Sequence, residues 1–200
     1  MIDASLVSTV PDPLRFYDLE RYLFVDVHDR FHSEGSIGAF EFFSIVIWKA
    51  NRAKSNIAKR LLKMDPSGRR ELEPIVRDLT GALFDAPSGR DRLRILMQQW
   101  GFMLPMASAI LTVLWPEEFT VYDVRACGQL GDFHKLGEQS GEDRIWNGFV
   151  RYRAAVQAAV EEPLSLRDKD RVLWARSALR QLQDDVARAF TQPERPVAPS

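Results

Sequence analysis

The sequence predicts an all-α protein, and three observations predict it. Apolar positions across the 200-residue chain recur at helical spacing. No long Val/Ile/Thr alternation marks a sheet. The candidate helices are separated by turn signals such as Asp65-Pro66-Ser67-Gly68. An apolar content of 46% is enough for a packed core.

The elements follow in order. Residues 1–13 read as irregular, punctuated by Pro11 and Pro13. Asp18 is a candidate cap for a helix running to about His32, with Leu19, Tyr22, Leu23 and Val27 on its buried face. A break at 33–38 precedes a second helix over 39–63. That helix begins as FEFFSIVIW, apolar on nearly every side, as expected of a central buried helix. Residues 69–84 form the next helix, 85–89 a loop, and 91–100 a helix leading into a tight turn. Pro116 ends the helix after that turn. Residues 123–130 are short and helical, and a Gly-containing loop follows. Two amphipathic stretches, 141–160 and 168–190, complete the pattern. The end of the chain, TQPERPVAPS, carries three Pro and is expected to be disordered. There is no internal repeat.

Composition narrows the function classes. One Cys, Cys127, cannot form an internal disulfide or hold a four-Cys iron–sulfur cluster. Three scattered His (His28, His32, His134) show no zinc-ligand spacing, so no metal or other cofactor is expected. No apolar run reaches the ~18–20 residues needed to span a bilayer. The opening MIDASLVSTVPDPL has no basic region followed by an apolar core. A cytoplasmic protein away from membranes is the expectation. Net charge is −1, but the stretch 49–70, KANRAKSNIAKRLLKMDPSGRR, is locally basic. Such a face either holds phosphates or is a solvated helix surface.

Residues 98–130, QQWGFMLPMASAILTVLWPEEFTVYDVRACGQL, carry the most information. They read as helix, tight turn, small-residue helix, loop, and an Asp at the mouth of another helix. A Gly at such a turn, Gly101, permits positive φ and close approach to a ligand. Backbone N–H groups at the turn and at the following helix N-terminus suit a phosphate oxygen. Ala107, Ser108 and Ala109 are small, as needed where helices meet closely. Asp123 lies 18 positions after Pro105 (123 − 105). As a residue type, Asp at a helix start is a preferred N-cap.

Together these features resemble the helix-hairpin-helix superfamily of DNA glycosylases, which includes endonuclease III and the 8-oxoguanine DNA glycosylases. The resemblance is best over 95–130, fair over 39–62 and topological elsewhere. It implies a two-lobed helical fold with a cleft between the lobes, within one domain over 1–190. Residues 34–115 would form one lobe, with the hairpin at about 96–112. Residues 1–33 and 116–190 would form the other, and 191–200 a disordered tail. It implies a monomer acting on double-stranded DNA with one base extruded. Asp123 takes the place of the family's catalytic Asp, which stabilises positive charge on the sugar as the glycosidic bond breaks.

Departures from the family pattern shape the remaining expectations. The hairpin turn reads Gly101-Phe102-Met103-Leu104, with Met103 where the family has a second Gly; these four are the expected DNA contacts of the hairpin. Pro105 stands where bifunctional members carry a Schiff-base Lys, and it cannot be a nucleophile. A monofunctional enzyme that leaves an abasic site is therefore implied. SIVIWKANRAKSNIAKRLL resembles the helix after the family's Ile-Leu-Ser-Gln-Gln-Thr signature but lacks the Gln pair. Trp48 either stacks on the extruded base or belongs to the core. Lys49 is a contact to phosphate, base or sugar, or a relocated Schiff-base Lys; Asn51 reads a base edge; Arg52 contacts the backbone. Arg125 holds a phosphate or pairs with Asp123. The substrate class stays open between damaged bases and modified bases of foreign DNA. The alternatives are a noncatalytic hairpin module that binds DNA and a helical interaction protein.

Overall fold

A computed structural model describes residues 11–65, 68 and 71–191. The described residues are all-α, without a strand. The N-terminal 1–10 and the tail 192–200 lie outside them, as do Arg69 and Arg70 of the basic stretch.

Pro13 opens an element where an irregular segment is expected. Asp12 accepts hydrogen bonds from the Leu14 and Arg15 N–H groups, and Pro13 sits at the first position of α1 (Pro13–Tyr17), where its missing N–H costs nothing. Asp18 caps the next segment as predicted, accepting from Arg21 N–H at 3.2 Å. The segment is not a uniform helix. It runs as α2 (Leu19–Arg21), a π-helical stretch over Tyr22–Val27, and α3 (His28–Glu34). The wider turn still points Tyr22, Leu23 and Val27 into the core.

The expected single helix over 39–63 is two. α4 (Ala39–Ala50) gives way to a 3₁₀ turn at Asn51–Ala53 and then α5 (Lys54–Met64). The N-terminus of α4 is anchored from outside. Glu73 accepts from Ala39 N–H at 2.7 Å, and a Cβ on Gly38 would lie 2.6 Å from that carboxylate. Next come α6 (Leu72–Asp85), α7 (Gly89–Arg94) capped by Ser88, and a π-helical turn over Ile95–Gln99. α8 (Leu104–Leu114) is the central helix, a place that the sequence reading assigned to the start of α4. Every α8 residue except Pro105 is buried, whereas Phe43, Ile47 and Trp48 of α4 are only half-buried. α8 ends at Leu114, two residues before Pro116, with Trp115 as its cap.

Three helices finish the chain: α9 (Val124–Leu130), α10 (Glu142–Ala158) and α11 (Leu166–Ala187). α11 packs along α9 and also touches α10. Its buried Lys169 donates to the carbonyls of Gln157 and Val160, both at 2.8 Å. These are carbonyls at the end of α10, where a cation and a donor are both favourable. The junction holds the first half of α11 against the body. Among the described residues no helix is long and apolar enough to cross a membrane.

Candidate active site

The hairpin is the first feature of the site. Gly101 adopts φ +65°, a left-handed conformation that favours glycine. Phe102 N–H returns to the Leu96 carbonyl at 2.9 Å, which tightens the turn between the π-helical stretch and α8. Arg60 of α5 donates to the Gly101 carbonyl and ties the basic helix to the turn. Two of the expected contact residues are not available as side chains. Phe102 is buried against Phe42, and Leu104 is wholly buried. Apolar side chains flanking a tight turn gain more from the core than from water. Their backbone is enclosed with them, and the Phe102 N–H is spent on the Leu96 carbonyl. Met103 is the exposed tip, at 62%.

The segment that delivers Asp123 is irregular, so other elements satisfy its backbone. The Ser108 hydroxyl of α8 accepts from Tyr122 N–H at 2.9 Å. The Tyr152 hydroxyl of α10 donates to the Val121 carbonyl at 2.8 Å. The small-residue stretch of α8 thus includes a residue that positions the Asp. Asp123 then caps α9 as read from its type, accepting from Arg125 N–H at 2.9 Å through Oδ1.

The other oxygen of Asp123 meets a cation. Lys49 Nζ, at the end of α4, lies 2.6 Å from Asp123 Oδ2. The two are 74 positions apart in sequence. Of the two roles open for Arg125, a phosphate contact or pairing with Asp123, the side-chain pairing does not occur; that guanidinium lies 5.6 Å from the Trp174 ring centre. The cap geometry uses the Arg125 backbone and sends its side chain towards α11. Burial alone would raise the Asp123 carboxyl, but Lys49 and the Arg125 N–H outweigh it and hold the group below the usual carboxylate range. Asp123 is therefore ionised at neutral pH.

Lys49 and Asp123 line a cleft of about 790 Å³. Trp48 stands beside them, edge-on to Phe24 at 5.5 Å. Arg167 of α11 lies over both the Phe24 and Trp48 rings, at 4.7 and 5.1 Å. Trp48 is half-buried, packed on one side and lining the cleft. α11 supplies the opposite wall through Arg167, Asp168, Asp170, Arg171 and Trp174, none of which the sequence singled out. Arg167 pairs with Asp170 and with Glu20, each at 2.6 Å. The only sequence signal for this wall was the amphipathic pattern of 168–190, and it did not say which face meets a cleft.

Asn51 and Arg52 lie on the 3₁₀ turn outside the cleft; Asn51 accepts from Lys54 Nζ at 2.7 Å. Cys127 is buried, and burial pushes its thiol up to about 11, so it is not a nucleophile at neutral pH. Among the described residues no group of three His, Cys, Asp or Glu has the arrangement to hold a metal ion. Protein-family models, curated proteins and solved structures were compared with the chain, and none matches it.

Proposed function

We propose that this chain is a monofunctional DNA glycosylase, hydrolysing the N-glycosidic bond of a damaged or modified base extruded from DNA. The observation that carries this reading is the Lys49–Asp123 contact inside an aromatic-walled cleft, with the segment before Asp123 held by Ser108 of the helix that follows the Gly101 turn. Trp48 and Lys49 belong to the 34–115 part of the chain. Glu20, Asp123 and α11 belong to the flanking parts. The cleft thus joins parts of the chain that the helix-hairpin-helix resemblance assigns to different lobes.

The chemistry follows from the charge of Asp123. As the C1′–N bond lengthens, the sugar gains positive charge. A fixed carboxylate at that carbon stabilises it without reorganising. A water oxygen then bonds to C1′, its proton passes to solvent by way of the carboxylate, and the electron pair of the broken bond leaves with the base. Lys49 keeps the carboxylate charged and fixed in one rotamer. Trp48 offers a face for stacking, which offsets the few kcal/mol of extruding the base. The basic side of α5 and the exposed turn residues Gly101 and Met103 suit phosphates. Pro105 at the start of α8 offers no amine, so no lyase step is expected there.

The test is base release from a panel of DNAs carrying oxidised, alkylated and phage-type modified bases, with alkali to reveal abasic sites. The wild type is expected to release one class of base, and Asp123→Asn to bind the same DNA without releasing it. Binding without release from any DNA would favour a noncatalytic hairpin module. Strand cleavage before alkali, with a borohydride-trapped adduct lost in Lys49→Met, would replace the hydrolytic reading with a lyase.

A further inference from the structure

Besides Asp123 and the more exposed Glu20 and Asp168, the cleft is lined by a buried carboxylate that the mechanism above does not use. Asp170 lies one turn into α11, and its side chain is only 5% exposed. It nevertheless lines the same cleft as Asp123 and Lys49. A buried acid facing a cleft is costly to keep unless it has a task or a full set of partners. Arg167, its one ion-pair partner among the described residues, is shared with Glu20.

We infer that Asp170 is the general acid of the site, placed in the cleft wall to protonate the departing base while ionised Asp123 stabilises the sugar. This assignment rests on the glycosylase reading. The bookkeeping is simple. The C1′–N bond breaks, its electron pair goes to the base nitrogen, and a proton from the Asp170 carboxyl reaches an acceptor on the base. Asp170 is left as a carboxylate beside Arg167 and is reprotonated from solvent.

The surroundings of the two acids support opposite roles. Asp123 has Lys49 and a backbone N–H and stays charged. Asp170 is more deeply buried, and burial pushes its carboxyl up to about 6. Arg167 on its own helix and Lys49 on α4 pull the value down, while Asp123 at the start of α9 pushes it further up. The Asp170 charge also acts on the Tyr152 hydroxyl of α10, which donates to the Val121 carbonyl. Two titratable groups driven apart in one cleft are the expected signature of an acid and a charge stabiliser.

The experiment is single-turnover base release as a function of pH, using the DNA substrate identified by the panel. For a neutral leaving base, the wild-type rate is expected to fall as pH rises past about 6, as Asp170 loses its proton. Asp170→Asn should lower the rate at pH 6 by roughly 100-fold or more, the usual scale of a general acid, and abolish that falling limb. Asp170→Glu should recover part of the rate. DNA affinity, measured in parallel, should change little in Asp170→Asn. An unchanged rate or an unchanged pH limb in Asp170→Asn would overturn the assignment. So would release confined to cationic N-alkylated bases, which depart as neutral molecules and need no acid. Loss of rate in Asp170→Asn with no recovery in Asp170→Glu, together with a lower Tm, would make the role structural. No release by the wild type from any DNA would remove the glycosylase reading itself, whereas loss in Asp123→Asn alone would remove only this assignment.

Discussion

Lys49→Met isolates the charge at the centre of the site, because it keeps the length of the side chain and removes its ammonium. Losing one partner of a fully buried ion pair costs about 3–5 kcal/mol. The Lys49 and Asp123 side chains are 14% and 20% exposed, so water screens part of the loss, and about 2 kcal/mol at pH 7 is the reasonable figure. For a chain of this size that is a drop in Tm of about 4–8 °C. The pH dependence identifies the cause. In the wild type Asp123 is held below its ordinary range. Its contribution is therefore present above the unfolded value near ~3.9 and is lost as pH falls through the folded one. In Lys49→Met burial is opposed much less, so the Asp123 carboxyl rises and the ionised form becomes a burden at neutral pH. Asp170 loses the same neighbouring charge and shifts in the same sense. The gap between wild type and variant should thus be widest near pH 7 and narrow as pH falls towards 3.5. Calorimetry at both pH values, at equal ionic strength, measures it. A gap of the same size at both would refute the electrostatic argument and leave only lost packing of the Lys stem.

Other outcomes follow from the same contacts. Ser108→Ala leaves the buried Tyr122 N–H without its acceptor and should cost about 1–3 kcal/mol by denaturant titration. It should also lower base release more than Trp115→Phe, which lies away from the cleft. Tyr152→Phe removes the donor to the Val121 carbonyl and should cost about 1 kcal/mol at neutral pH. Gly101→Ala forces a Cβ into the left-handed region and should destabilise the turn by about 1–2 kcal/mol; its effect on DNA affinity should exceed its effect on Tm. Lys54→Ala with Lys59→Ala should reduce the slope of log affinity against log salt by about 2 if both meet phosphates, which a binding titration at several salt concentrations checks.

Local properties of the chain were legible without coordinates. The absence of alternating patterns meant helices, because side-chain period follows backbone geometry. Asp18, Asp123 and Gly101 were legible because caps and positive-φ turns depend on one residue and its immediate neighbours. The small residues of α8 announced close packing. What failed locally failed for tertiary reasons. The 39–63 pattern looks continuous, yet the chain turns at Asn51–Ala53, leaving the apolar α4 and the basic α5 as separate helices. Phe102 and Leu104 sit in a turn that looks exposed, but the turn backs onto Phe42 and the core.

The site was decided by the fold. The sequence named Asp123 and Lys49 separately, 74 positions apart, and nothing in their spacing brought them to 2.6 Å. That contact exists because α4 ends where Ser108 and Tyr152 hold the segment before α9. The wall carrying Arg167, Asp170 and Trp174 was invisible for a related reason. An amphipathic helix shows which residues are apolar, but not which of its polar faces will look into a cleft. Ionisation belongs to the same class: Asp123 and Asp170 are identical in sequence, and only burial and neighbouring charge make one a persistent anion and the other an acid that still holds its proton near pH 6.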